Sequence, residues 1–163
     1  MEIELKEAAR PEDVLAFADA VLSGETNLNA NLANIAALLG QFLPRINWVG
    51  FYLLERASGD WVLGPFAGKP ACTRIAPQRG VVGAALGDRQ TLVVDNVLEF
   101  PGHIACDDAS RSEVVIPIIS QDVVVAGLDV DSPEFSRFAA PDVELLEELC
   151  RRLGTHWQSF HWY

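Results

Sequence analysis

The chain has 163 residues, half of them apolar, and its 23 acidic and 12 basic side chains give a formal net charge of -11. A chain of this length can bury one sizeable core and is short for two, so we expect one domain over residues 1–163. The acidic balance argues against nucleic acid and anionic membranes as partners. Residues 1–6 lack the features of a signal peptide or membrane span, so we expect a cytoplasmic protein.

Two amphipathic helices are predicted at the start of the chain. Apolar residues recur at helical spacing from Pro11 to Ser23, behind an acidic first turn that suits the helix dipole. A second helical pattern begins at Thr26 or Asn27 and must stop before Pro44, which cannot continue a helix.

Five strands are predicted in the middle of the chain, separated by two short turns and two long loops. They cover residues 46–54, 61–66, 91–94, 113–119 and 123–130. Turns at 58–60 and 120–122 join the first two and the last two strands into hairpins. The loops cover residues 67–88, with a short helix at 81–86, and residues 96–112.

A last amphipathic helix is predicted from Pro141 to about Trp162, again after an acidic start. Helices at both ends and hairpins between them predict an α+β fold. We therefore expect a central, largely antiparallel sheet with helices packed against it.

Three cysteines offer redox chemistry. Cys72 and Cys106 lie in the two long loops, whereas Cys150 follows the apolar pattern of the last helix and is expected in the core. An odd count without close CxxC spacing argues against a zinc site or a disulfide scaffold. If the loops meet, one thiolate could attack an oxidised substrate and the other could resolve the resulting sulfenic acid. Simple packing is the alternative for each loop cysteine.

Four co-linear segments resemble the free methionine-R-sulfoxide reductase family of GAF-domain enzymes. They are NWVGFYLL (47–54), LGPFAGKPACTRI (63–75), GHIACDDASRSEVVIPI (102–118) and GLDVDSPEFSRF (127–138). The resemblance implies a GAF-like fold and thiol-dependent reduction of free methionine-R-sulfoxide to methionine, without metal or cofactor. It also implies thioredoxin as the reductant, and it is compatible with a homodimer.

The resemblance assigns a chemical role to three residues. Cys106 matches the cysteine that attacks the sulfoxide sulfur, releases methionine and becomes a sulfenic acid. Cys72 matches a recycling cysteine, which would resolve that sulfenic acid as a disulfide. Glu113 matches an acidic site residue, which could protonate the sulfoxide oxygen as its bond to sulfur breaks.

Four further residues are candidates for substrate binding. Trp48 and Tyr52 are four apart on a strand and therefore share a face. Taken alone, such a pair is ordinary core, but by resemblance it forms the pocket for the substrate's methyl group. Asp129 and Asp131 also share a face and by resemblance bind the substrate, where they could hold its free ammonium group. The alternative for Asp131 is a cap of the turn that follows it.

One position departs from the family pattern. The family's GRGVCG is GRGVVG in this chain, so Val82 replaces a third cysteine, and recycling must depend on Cys72 or an external thiol. Two alternatives stay open: a GAF domain that binds a small molecule without turning it over, and a redox sensor with a reversible Cys72–Cys106 disulfide.

Overall fold

A computed structural model describes residues 10–102 and 107–161. The elements are α1 Pro11–Gly24, α2 Leu28–Phe42, β1 Trp48–Leu54, β2 Trp61–Gly68, β3 Arg74–Ile75, α3 Gly80–Asp88, β4 Leu92–Val94, β5 Ser112–Ser120, β6 Val123–Ser132 and α4 Ala140–His156. The strands form a six-stranded antiparallel sheet in the order β3-β2-β1-β6-β5-β4. The predicted α+β fold is confirmed. No helix within these ranges is long and apolar enough to cross a membrane.

Local capping explains where the first two helices begin. The side chain of Asp13 accepts a hydrogen bond from the backbone N–H of Arg10 at 2.9 Å and closes the first turn of α1. Asn27 caps α2, because its side chain accepts a hydrogen bond from the N–H of Ala30 at 2.8 Å. Both predicted helices are confirmed, and α2 ends before Pro44.

The two faces of the sheet have different functions in the fold. One face packs against α2 and α4, which are in turn covered by α1, and forms the main core. The other face is covered by α3, where Leu86 lies so close to Gly127 of β6 that a Cβ at Gly127 would overlap it. A second apolar cluster forms on this face from Trp48, Tyr52, Trp61, Ile75, Val81, Val82, Ala85, Leu86, Val115 and Val124.

The closing helix is shorter than its apolar pattern predicts. α4 ends at His156, and a single 3₁₀ turn over Trp157–Ser159 follows it. The chain then pairs with the start of α2, because the N–H of His161 donates to the carbonyl of Thr26 at 2.9 Å. These backbone partners outside the helix replace the last helical turn. Trp162, where the helix was predicted to end, lies outside the described residues.

All five predicted strands are confirmed, and most of their ends differ from the predicted ends by one or two residues. β3 was not predicted, because it has only two residues inside a loop-like sequence, and its strand character comes from pairing with the edge of β2. The turn between β5 and β6 uses Gln121 and Asp122 in left-handed conformations, with φ of 49° and 61°. Two such residues are typical of a tight hairpin turn.

Gly154 of α4 provides a test of this packing. A Cβ at Gly154 would overlap the backbone carbonyl oxygen of Ile119, which is fixed within β5. Alanine usually stabilises a helix relative to glycine. Here we expect Gly154→Ala to lower the free energy of unfolding by about 1–3 kcal/mol through overpacking, as measured by thermal denaturation.

Gly24→Ala is the matched control, because nothing lies within 4 Å of a Cβ built at Gly24. This variant should be neutral or slightly stabilising. A Gly154→Ala variant as stable as native would show that α4 packs less closely on β5 than described.

Candidate active site

A pocket opens on the α3 side of the sheet. The space between its walls, including the mouth open to solvent, is about 560 Å³. Its floor is the sheet, and its walls are the loop after β2, the first turn of α3 and residues of the second long loop. It is lined by Trp48, Tyr52, Lys69, Pro70, Ala71, Ile75, Arg79, Gly80, Val81, Val82, Asp107, Ser110, Glu113, Asp129 and Asp131.

Three carboxylates meet on the floor of this pocket. Glu113 of β5 pairs directly with Asp131 of β6, and Asp129 precedes Asp131 by two residues on the same face. Carboxylate oxygens of the three residues lie within 4.8 Å of one another. Glu113 and Asp129 are each only 6% exposed, and Asp131 is partly buried, so strand register brings three acids together with little access to water.

The two most buried acids favour their protonated forms. Burial raises the pKa of Glu113 well above its ordinary value, with repulsion from Asp131 adding to the rise. Burial also raises the pKa of Asp129, followed by repulsion from Glu113 and Asp131 and a hydrogen bond shared with Glu113. Within the described ranges, Oδ1 of Asp129 has no hydrogen-bond partner. The surroundings of Glu113 and Asp129 thus favour bound protons, and Asp129 presents an open acceptor to a ligand.

Asp131 is placed to change charge near neutral pH. Burial, followed by repulsion from Asp107, raises its pKa to about 7. Asp131 lies inside β6 and faces the pocket, while Ser132 supplies the turn cap through a 3.1 Å hydrogen bond from the N–H of Glu134. The turn is therefore capped by Ser132 and not by Asp131.

Two aromatic side chains form one wall of the pocket. As their spacing predicts, Trp48 and Tyr52 share a face of β1, and their ring centroids lie 6.1 Å apart. The ring of Phe66 stacks on Trp48 with a centroid distance of 5.5 Å. Gly50 lies between the two β1 aromatics, and a Cβ there would overlap Trp48 and Phe66. Glycine is what allows this wall to close-pack.

The polar ends of the same two side chains reach the loop after β2. The indole Nε1 of Trp48 donates to the carbonyl of Lys69 at 3.1 Å, and the hydroxyl of Tyr52 donates to the carbonyl of Cys72 at 3.0 Å. Burial, with the neighbouring carboxylates, raises the pKa of Tyr52, so its phenol stays neutral. The wall therefore fixes a loop as well as lining the pocket.

Asp107 connects the second long loop to the first loop and to the sheet. Its carboxylate accepts hydrogen bonds from the N–H of Ala109 at 2.9 Å, from Asn47 Nδ2 at 3.2 Å and from Lys69 Nζ at 3.3 Å. These contacts, led by that of Ala109, lower the pKa of Asp107. Asn47, Lys69 and Asp107 were not predicted from sequence, since polar loop residues carry no periodic signal.

The structure describes Cys72 and Cys150 but not Cys106. Cys72 is half-buried in the loop beside the pocket and is disulfide-bonded. Cys106 lies outside the described residues, so its predicted role stays a prediction. Cys150 is buried in the main core, as predicted, where burial raises the pKa of its thiol. Val82, which replaces the third family cysteine, is 4% exposed and lines the pocket.

The charge distribution in the pocket suits a small zwitterion. Acids occupy the floor, while Lys69, Arg79 and the N-terminal turn of α3 supply positive charge near the rim. The three clustered carboxylates could also hold a cation. A ligand's ammonium group would satisfy the same oxygens.

The fold is that of a GAF domain, and the GAF domain model matches residues 27–157. A free methionine-R-sulfoxide reductase of Escherichia coli is 47% identical over 135 residues, covering 83% of this chain and 81% of that protein. The namesake from Saccharomyces cerevisiae is 37% identical over 149 residues, covering 88% and 83%. The solved structure of the Neisseria meningitidis reductase with its substrate superposes with a TM-score of 0.92 at 39% identity, covering 98% and 97%. The chain belongs to the free methionine-R-sulfoxide reductase family of GAF domains.

The partly buried Asp131 should make stability depend on pH. Its pKa of about 7 in the folded chain exceeds the ordinary 3.8, so between these values only the unfolded chain gives up the proton. The free energy of unfolding therefore falls as pH rises through this window. We expect Asp131→Asn to be more stable than native at about pH 8, by on the order of 2–4 kcal/mol, and nearly equal at about pH 4.

Thermal denaturation across this pH range checks the expectation. Asp122→Asn, at the exposed hairpin turn, is the control and should follow the native pH profile. A profile for Asp131→Asn parallel to that of native would mean that Asp131 is ionised at no cost in the fold.

Proposed function

We propose that this protein reduces free L-methionine-R-sulfoxide to methionine through a cysteine thiolate. The observation that carries the proposal is the buried cluster of Glu113, Asp129 and Asp131 beside the Trp48–Tyr52 wall, in a chain of this family. A free amino acid with a thioether oxide has the matching parts. It carries an ammonium group, a carboxylate, a small apolar methyl and an oxygen that needs a proton.

The pocket supports one orientation of the substrate. The ammonium group would lie against Asp129 and Asp131, and the carboxylate toward Lys69, Arg79 and the start of α3. The methyl group would pack on the aromatic wall, whose ring faces also tolerate partial positive charge on sulfur. A peptide bond in place of the ammonium would leave the buried acids unpaired, which favours free methionine sulfoxide over protein-bound residues.

The reaction would proceed in two steps. The Cys106 thiolate attacks the sulfoxide sulfur while Glu113, whose pKa is raised by the burial of its carboxyl, gives a proton to the oxygen. The hydroxyl passes to the cysteine sulfur, so methionine leaves reduced and Cys106 becomes a sulfenic acid. The Cys72 thiolate then displaces water from that sulfenic acid and forms a disulfide, which thioredoxin reduces.

The Val82 substitution favours a second candidate, a GAF domain that binds the amino acid without turnover. Valine can neither attack a sulfenic acid nor be reduced. A thiol redox sensor built on Cys72 and Cys106 is the third candidate. Thioredoxin as reductant, a cytoplasmic location and a homodimer belong to the proposal as expectations from the family.

Cysteine variants test the two-step cycle. We expect Cys106→Ser to abolish methionine release from free methionine-R-sulfoxide, because serine cannot form the thiolate. Cys72→Ser should still release methionine in a single turnover but lose thioredoxin-supported recycling, since its sulfenic acid must wait for an external thiol. The measurement is methionine released, in single-turnover and steady-state assays with thioredoxin or dithiothreitol.

Cys150→Ser is the matched control, because this thiol lies buried in the main core. Native protein that binds methionine sulfoxide yet releases no methionine with excess dithiothreitol would be a binding domain. Comparable reduction of a peptide methionine sulfoxide would contradict the specificity.

Restoring the missing thiol tests the role of position 82. Because Val82 lines the pocket and cysteine is a slightly smaller, weakly polar side chain, Val82→Cys should be tolerated in the fold. In a Cys72→Ser background we expect Val82→Cys to restore thioredoxin-supported turnover. Val82→Ala in the same background should not, and equal recovery in both variants would exclude resolution by a thiol at this position.

A further inference from the structure

The segment from Lys69 to Cys72 is fastened to the sheet at both ends. It has no regular secondary structure, and its first two residues are exposed. Trp48 donates to the carbonyl of Lys69, and Tyr52 donates to the carbonyl of Cys72. An edge loop that carries a cysteine is thus fixed by two side chains of the central strand β1.

Tyr52 is itself rigidly held. It is 2% exposed, its ring packs beside Trp48, and β1 is paired on both sides with β2 and β6. Because its phenol stays protonated, its hydroxyl remains a donor over the ordinary pH range. A donor with little freedom places its acceptor within a narrow range of positions.

We propose that Tyr52 is a positioning residue for the resolving step, acting through its hydrogen bond to the carbonyl of Cys72. This inference rests on the proposed function. In that step the Cys72 thiolate attacks the sulfur of the Cys106 sulfenic acid, the S–S bond forms and the S–O bond breaks. The departing hydroxide takes a proton and leaves as water, and the dithiol of thioredoxin later supplies the two electrons that reopen the disulfide.

The position of Cys72 matters more in this chain than where a third cysteine is present. Val82 removes the alternative resolving thiol, and Cys150 is buried in the main core. An intramolecular attack gains its rate from a thiolate held close to its target. A loop released from Tyr52 would spend less time in that arrangement, with no other internal thiol to compensate.

Tyr52→Phe tests the inference because it keeps the aromatic ring of the pocket and removes the hydroxyl. Two rates are measured in single turnover with reduced protein: methionine release, and loss of a signal from a sulfenic acid-trapping reagent. We expect disulfide formation to slow about three- to tenfold more than methionine release, the range set by one net hydrogen bond. Sulfenic acid should accumulate. Equal slowing of both steps would overturn the inference, since it would place the hydroxyl's effect on the substrate.

A double-mutant cycle separates the two sites of action. In a Cys72→Ser background recycled by dithiothreitol, Tyr52→Phe should lose its specific effect on removal of the sulfenic acid. An undiminished effect there would overturn the inference. If native protein releases methionine and Tyr52→Phe removes the sulfenic acid at the native rate, the inference is wrong and the proposed function stands. If native protein releases no methionine, both the proposed function and the inference are wrong.

Discussion

The burial of three carboxylates on adjacent strands is the constraint on which the rest of the site depends. The register of β5 and β6 sets Glu113 opposite Asp131, and the strand period brings Asp129 to the same face. Like charges removed from water are costly unless protons or a cation neutralise them. A cationic ligand group at these acids would therefore replace bound protons in neutralising them.

Packing in the rest of the fold offsets the free-energy cost of burying these acids. The main core, on the opposite face of the sheet, packs α2 and α4 against the strands, and α1 packs against these two helices. α3 and the aromatic wall then limit the access of water to the acids, while the positive charge lies at the rim of the pocket. The pocket and the main core thus lie on opposite faces of one sheet and are built from the same strands.

Much of this arrangement was predictable from local sequence. Helical spacing and proline positions predicted α1 and α2, and alternation predicted that Trp48 and Tyr52, like Asp129 and Asp131, share a face. The tertiary contacts were not predictable. β3 exists through pairing with β2, and the contacts of Asn47 and Lys69 with Asp107 join residues that are 60 and 38 positions apart. The end of α4 likewise depends on backbone partners at the start of α2.

The alternation along β1, β5 and β6 has a consequence for how such proteins can diverge. Every pocket residue on these strands is flanked by a residue of the main core, as Glu113 is by Val114 and Asp129 by Val130. Substitution can change the ligand at one face without touching the other. Insertion or deletion of a single residue would exchange the two sets, turning acids into the core and valines into the pocket. Lineages of this fold should therefore vary freely in loop length but keep the length of these strands.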